Sequence, residues 1–126
     1  MRRVVSIALL ALCALMVALA VTACGAKDIE APTTGNIDKA KDVAAKGEIM
    51  MVKTGVAAYT ATSGAAPPMA TQDVLGSFVS PWPKNPWTQA PMVVGKQPGD
   101  IVYAPGAGTD YTLGVVLADG TVYSAP

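Results

Sequence analysis

The spacing of hydrophobic residues changes twice along the chain. From residue 4 to residue 23 nearly every position is apolar. From 37 to 62, apolar or small residues recur every three or four positions, which is the period of an amphipathic helix. From 92 onward, Val, Tyr, Thr and Leu gather in short runs separated by Gly and Pro, as in β-strands. The pattern therefore predicts an apolar leader, one long helix and a small sheet, in that order.

The apolar leader has the features of a secretory signal. Two arginines precede it and small residues close it. With the residue that follows, V-T-A-C at 21–24 resembles the lipobox of bacterial lipoproteins. The resemblance implies cleavage between Ala23 and Cys24 and a diacylglyceryl lipid on the Cys24 sulfur. We therefore expect residues 1–23 to be a cleaved signal peptide. The mature chain is then lipid-anchored on the exported side, on the outer face of the cytoplasmic membrane or on the outer membrane of a diderm.

Removal of the leader changes the composition of what remains. Cys13 leaves with it, so Cys24 is the one cysteine of the mature chain and no internal disulfide is expected. The remaining 126 − 23 = 103 residues suffice for one small domain. Both arginines also leave, so the charge becomes 7 − 9 = −2, and nothing basic indicates nucleic-acid binding. Residues 24–36 mix charges with Gly and Pro and are expected to form a flexible tether.

The helical period predicts a single helix over residues 37–62. Asn36 precedes it as an N-cap, and Ser63-Gly64 ends it. Most charged residues fall on one face, which we expect to be solvated. The opposite face is expected to pack closely on a sheet, with Ile37, Val43, Met50 and Met51 as its larger members. The full predicted core face is Ile37, Ala40, Val43, Ala44, Gly47, Met50, Met51, Thr54, Ala57, Ala58 and Ala61.

A proline-rich stretch from residue 64 to residue 91 separates the helix from the sheet. Within it, only 74–79 is patterned as a short helix or strand. Loops of this length in compact domains are often functional. Trp82 and Trp87 lie in this stretch, and two roles are open for their large rings. They either anchor the loop by packing or make surface contacts with a ligand.

The C-terminal third predicts an antiparallel sheet of three or four strands. A-D-G at 118–120 is a strong hairpin turn between the last two strands. We therefore expect residues 37–126 to form one α+β domain, with the long helix packed on the sheet. The predicted strands are 92–95, 100–104, 111–117 and 121–124.

The residue inventory does not favour catalysis. The chain has no His, and Cys24 is reserved for lipid, which excludes Ser-His and Cys-His pairs and His-ligated zinc. Asp100, Asp110 and Asp119 could act as acids or calcium ligands. Each lies at a strand end or turn, where Asp is favoured for its hydrogen bonds to the backbone. We expect no enzymatic activity, no metal site and no cofactor other than the covalent lipid.

Several passages together resemble one family. A helix that ends in Tyr59, shortly before Gly and Pro, resembles the exposed half of the spine helix in type IV pilins and type II secretion pseudopilins. N-P-W-T-Q-A-P-M at 85–92 resembles the N-P-[FW]-T-G-x-P-M passage of the major pseudopilins. Residues 99–103 and 111–113 resemble their G-D-[IF]-x-Y and Y-x-L strands. The resemblance covers about residues 37–123 and implies a pilin-like fold.

Three functions follow from these features. In the leading hypothesis, the chain is an envelope lipoprotein whose pseudopilin-like domain is a structural or interaction component of a secretion or envelope assembly. Its partners would be the membrane, through the lipid, and secretion or pilus assembly proteins. The second makes it a small ligand-binding lipoprotein that holds saccharide or peptidoglycan with Trp82 and Trp87. In the third, residues 1–23 stay uncleaved as a membrane helix of a minor pseudopilin.

Overall fold

The computed structural model describes residues 33–126. The predicted leader, Cys24 and most of the predicted tether lie outside the described residues. The elements are helix α1 (Thr34–Ser63), helix α2 (Gln72–Leu75) and strands β1 (Ile101–Pro105), β2 (Tyr111–Val116) and β3 (Val122–Ser124). Within 33–126 no helix is both long and apolar enough to cross a membrane. The predicted α+β form, one long helix on a small antiparallel sheet, is confirmed.

The ends of α1 differ in how well they were predicted. The helix begins at Thr34, so the predicted N-cap, Asn36, is wrong and lies in the first turn. Thr33 is the N-cap because its carbonyl already accepts hydrogen bonds from the backbone N–H groups of Asn36 and Ile37. The C-terminal end is as predicted. Gly64 adopts the left-handed conformation (φ 77°) and donates its N–H to the Thr60 carbonyl, a common way to end a helix.

The sheet has three antiparallel strands in the order β1-β2-β3. The predicted D-G hairpin joins β2 to β3, with Gly120 at φ 82°. The predicted strand 92–95 is wrong, since Val94 makes only an isolated parallel bridge to Ile101. The cause is the tight turn that follows, in which the buried Asp100 carboxylate accepts the Gln97 N–H. That turn leaves this segment only two backbone hydrogen bonds to Ile101.

The core lies between one face of α1, the sheet and the loop that connects them. The predicted core face of α1 is wrong. Val43 is 70% exposed, and Met50 and Met51 are 39% and 40% exposed. The helix instead turns a bulkier row toward the sheet, because branched side chains bury more apolar area than Ala or Gly. The buried residues are Ala45, Ile49, Val52 and Val56 of α1 with Ala70, Leu75, Val79, Trp82, Met92, Ile101, Leu113 and Val115.

Polar contacts fasten α1 and the segment after it to the sheet. The Asp42 carboxylate accepts the Ala118 N–H at the β2–β3 turn (2.8 Å). Beyond the helix, the Tyr103 hydroxyl donates to the Pro67 carbonyl (2.6 Å). Burial, followed by the neighbouring Tyr111 and Tyr59, raises the pKa of Tyr103. The position of α1 on the sheet is therefore set at both ends of its buried section.

Candidate functional site

The face of α1 opposite the core carries exposed apolar side chains over most of its length. Val43, Met50 and Met51 are its largest members, and small residues separate them. No charged residue interrupts it, and an exposed row of this kind is a common mark of interaction surfaces. We call it the outer face, defined as Ala40, Val43, Ala44, Gly47, Met50, Met51, Thr54, Ala57 and Ala61.

Gly47 lies in the middle of the outer face without a packing reason for being Gly. A Cβ added there would meet no atom of the described chain within 4 Å. A Gly inside a helix costs about 1 kcal/mol relative to Ala. Gly55 differs, because it is buried and a Cβ there would overlap the Val79 side chain. The fold thus explains Gly55 but leaves Gly47 unexplained.

A row of lysines follows one edge of the outer face. Lys39, Lys46 and Lys53 are spaced by seven residues, or about two helical turns, so they lie one above another. We call them the lysine row. The Lys46 ammonium lies 5.1 Å from the centre of the Tyr123 ring, a cation–π contact that holds it on the sheet side of α1. Glu48 lies toward the opposite edge, and Lys41 lies about two turns before it on the same side, so that edge carries both signs of charge.

Beyond that opposite edge, a groove of about 550 Å³ separates α1 from the proline-rich loop. Met51 belongs both to this loop groove and to a neighbouring recess of about 210 Å³ beside Phe78. The volume of the loop groove falls in the range of small-ligand sites. Its walls are Ala44, Glu48 and Met51 on the helix and Pro81, Trp82, Pro83, Lys84, Pro86 and Gln89 on the loop.

The loop wall of the groove is held by buried polar contacts. Asn85 is buried, and its Oδ1 accepts the Trp87 N–H (2.8 Å) while its Nδ2 donates to the Pro98 carbonyl (2.9 Å). The Trp82 Nε1–H donates to the Met92 carbonyl (3.0 Å). These bonds fix the loop from within, so the loop wall of the groove is preorganised.

The two tryptophans occupy different environments. Trp82 is only 9% exposed and belongs to the core, although part of it reaches the loop groove. Trp87 is half-buried and packs against the core. Loop anchoring is therefore what the structure shows for both rings. Contact with a ligand stays a prediction for both tryptophans, and Trp82 is the one that lines the loop groove.

Gln89 has an unusual backbone conformation. Its φ is 60°, in the left-handed region that favours Gly and is uncommon for other residues. Gln89 occupies the position at which the resembled pseudopilin passage, N-P-[FW]-T-G-x-P-M, has its Gly. Sequence reasoning noted the passage but not the consequence for this backbone.

Two of the three candidate carboxylates, Asp100 and Asp119, serve local turns. Asp119 accepts hydrogen bonds from the Thr121 hydroxyl (2.6 Å) and the Thr121 N–H (2.9 Å), and these bonds lower the pKa of Asp119. Asp100 holds the turn described above, and Asp110 is exposed beside β2. Within residues 33–126, no group of three or more Cys, Asp or Glu residues could hold a metal ion.

Comparison of the chain with models of protein families, with characterised proteins and with solved structures finds no match. The predicted cleavage and lipid site, Ala23 and Cys24, lies outside the described residues. The sequence analysis did not identify the outer face and the lysine row as a candidate site. The seven-residue spacing of the lysines beside an uncharged row was the pattern that could have revealed them.

Proposed function

We propose that the chain is a lipoprotein of the bacterial envelope whose pseudopilin-like domain is a structural or interaction component of a secretion or envelope assembly. The lipid on Cys24 holds it at the exported side of a membrane, on the cytoplasmic membrane's outer face or, in a diderm, on the outer membrane. The lipobox at 21–24 supports the anchor. The single observation that carries the interaction role is the exposed, uncharged outer face of α1.

The conformation of Gln89 supports the family part of the proposal. A passage that resembles N-P-[FW]-T-G-x-P-M places a left-handed residue where the family has Gly. The left-handed Gly64 at the end of α1, with Pro67 after it, is a second local feature that agrees with the resembled spine helix. A lipid at Cys24 would replace the polymerising helix of a pilin, so the domain acts as a tethered subunit outside any filament.

Mass spectrometry of the mature protein tests the anchor. We expect an N-terminus at Cys24 carrying a diacylglyceryl group, and we expect Cys24→Ser to abolish both lipid and cleavage. An intact leader on the wild-type chain, or cleavage elsewhere, would favour the uncleaved minor pseudopilin instead.

Photocrosslinking in cells tests the interaction role. A crosslinking residue at Val43, on the outer face, should join the chain to one defined envelope protein. The matched control is the same residue at Val122, which is exposed on β3. Equal products from the two positions, or none from Val43, would count against an interaction through the outer face.

The loop groove favours a second candidate function, the binding of saccharide or peptidoglycan fragments. The volume of the groove and its preformed wall support this binding function. Because the Trp82 ring lines the groove, its fluorescence should respond to a bound ligand. In a Trp87→Phe variant, binding should change the Trp82 emission in a saturable way. The matched control is Ala44→Leu in the same background, which adds bulk to the helix wall of the groove and should weaken the response. Flat titrations with muropeptides and chitooligosaccharides would remove this function.

A further inference from the structure

We propose that the loop groove binds a short peptide with a free amine and a free carboxylate, as found at the end of an uncrosslinked peptidoglycan stem. The ligand's amine meets the Glu48 carboxylate, and its carboxylate meets the Lys84 ammonium. The inference rests on the second candidate function and deepens it by naming the part of the cell-wall polymer that the groove holds. It is carried by the charges on the two walls, the hydrogen bonds within the loop and the apolar lining.

The two walls of the groove carry opposite charges. Among the described lining residues, Glu48 lies on the helix wall and Lys84 on the loop wall, and the others are uncharged. A ligand with a single sign of charge is attracted by one wall and repelled by the other, whereas a ligand with both signs matches both walls. Charge complementarity therefore favours a zwitterion over a purely anionic or purely cationic ligand.

Glu48 is a carboxylate to which its own helix offers no cation. Its side chain is half-buried and lines the groove. Opposite charges on a helix pair at separations of three or four residues. The residues at those separations from Glu48 are all apolar: Ala44, Ala45, Met51 and Val52. An amine in the groove would therefore give this carboxylate a charged hydrogen-bond partner.

Lys84 is presented from a fixed stretch of backbone. It forms an antiparallel bridge with Pro91, and the N–H of the next residue, Asn85, donates to the Ala90 carbonyl (2.8 Å). The Lys84 side chain is exposed and lines the groove. Because the backbone beneath it is already ordered, only the side chain must lose freedom when its ammonium binds a carboxylate.

The loop wall uses most of its hydrogen-bond donors internally. Pro81, Pro83 and Pro86 have no N–H group. The donors already bonded within the loop are the Trp82 indole N–H and the backbone N–H groups of Asn85, Trp87, Thr88 and Gln89. The hydroxyl groups of a saccharide need both donors and acceptors when they leave water. The wall leaves few donors free, so it suits the peptide part of peptidoglycan better than the glycan.

The rest of the lining suits small aliphatic groups. Trp82 is only 9% exposed, so little of its ring is available to stack on a sugar. Met51 also lines the groove, and its flexible thioether adapts to ligands of irregular shape. The groove volume of about 550 Å³ is that of a small-ligand site. Methyl side chains between an amine and a carboxylate therefore match this surface.

Calorimetric titration of the full chain, as the cell processes it, tests the proposal. The protein is extracted in a polyoxyethylene detergent, which carries neither charge nor sugar, and detergent alone is the blank. The peptide probe is N-acetyl-L-Lys-D-Ala-D-Ala, the end of a stem, whose charges are the lysine ammonium and the C-terminal carboxylate. The saccharide probe is tetra-N-acetylchitotetraose. We expect saturable peptide binding and about tenfold weaker saccharide binding, because the saccharide lacks both ion pairs.

Paired changes in ligand and protein identify each contact. Acetylating the lysine side chain of the peptide should weaken binding about threefold, as expected for one exposed ion pair. Glu48→Gln should weaken binding of the unmodified peptide equally, and the acetylated peptide should lose nothing further in this variant. Amidating the C-terminal carboxyl of the peptide should relate to Lys84→Gln in the same way.

Controls separate these contacts from general effects of charge and folding. Asp73→Asn and Lys96→Gln, which change exposed charges elsewhere, should bind the peptide like the wild type. The all-L isomer of the peptide distinguishes the source: a preference for D-Ala assigns the site to the cell wall, and equal binding assigns it to short peptides in general. The modified peptides test the same contacts on the wild type, so the outcome does not depend on the folding of a variant.

Several results would overturn the proposal. These are no binding of the peptide, undiminished binding after its amine is acetylated, or an effect of Glu48→Gln that persists with the acetylated peptide. Binding to phosphatidylethanolamine vesicles that is lost in Glu48→Gln would assign the groove to a lipid headgroup instead. Saccharide binding without peptide binding would overturn this inference and leave the second candidate function standing, whereas flat titrations with both probes would remove the two together.

Discussion

The two faces of α1 are similar in composition, but one is buried in the core and the other is exposed. Both lack charge along the middle of the helix, yet Ile49 and Val52 are fully buried while Val43 and Met50 are exposed. The two glycines of the helix also differ in burial. Val79 fills the space beside Gly55, whereas open space lies beside Gly47. An apolar helix face therefore indicates a surface suited to packing against another element. Only the fold shows whether that element belongs to the same chain.

Truncating one large side chain on each face gives the largest expected difference. Ile49→Ala should lower the free energy of unfolding by about 3 kcal/mol, because it leaves a cavity in the core. Met50→Ala, next in sequence but on the outer face, should change it by less than about 0.5 kcal/mol. Urea denaturation of the two variants measures this, and similar losses would mean that the outer face is packed in solution.

Adding a methyl group at each glycine sharpens the comparison. Gly55→Ala should destabilise the domain by about 1–3 kcal/mol, because the new Cβ overlaps Val79. Gly47→Ala should stabilise it by about 1 kcal/mol, since Ala is the better helix former and the space is free. Thermal unfolding should therefore shift in opposite directions, and a lower melting temperature for Gly47→Ala would contradict the open outer face.

Sequence reasoning predicted the order of the elements but not the orientation of the helix. Gly64 and the D-G turn were predictable because left-handed turns depend on local residue chemistry. The buried face was not, because a row of Ala, Gly and Met has the same helical period as the row containing Ile49, Val52 and Val56. Periodicity finds an apolar face, whereas burial depends on what the sheet and loop bring against it.

The candidate site was likewise only partly predictable from the sequence. Trp82 and Trp87 were predictable as loop residues, but their burial depends on Asn85 and on contacts distant in sequence, such as its bond to the Pro98 carbonyl. The prediction of a strand at 92–95 was wrong because the Asp100 side chain closes the next turn and redirects the chain. Such long-range and side-chain bonds leave no periodic pattern in the sequence.

A smaller effect is expected at the edge between the two faces. Asp42→Ala removes the acceptor of the Ala118 N–H and should cost about 1 kcal/mol. Asp38→Ala, one helical turn earlier, is the control and should cost clearly less. Hydrogen exchange of the Ala118 amide should accelerate in the first variant only; unchanged protection would mean that this contact does not hold α1 to the β2–β3 turn.

The smallest effect concerns the lysine row itself. Lys46→Gln removes the cation–π contact with Tyr123 and should cost about 0.5 kcal/mol, because both groups are half-buried and still reached by water. Lys39→Gln should have no measurable effect on unfolding. Chemical shifts of the Tyr123 ring protons provide the direct readout, and if they respond equally to both substitutions, Lys46 is not held at the sheet side of the outer face.

The early turns of α1 have a mechanical consequence. No residue of the helix before Ala45 is buried, and the part that precedes the Asp42 bond to the β2–β3 turn, Thr34–Lys41, extends from the core as a rod of about 12 Å. In a lipid-anchored protein, this rod is a stiff spacer between the anchoring segment and the folded body. The predicted flexible tether would leave the rod free to pivot at Thr34, so the rod would lengthen the reach of the outer face without fixing its orientation.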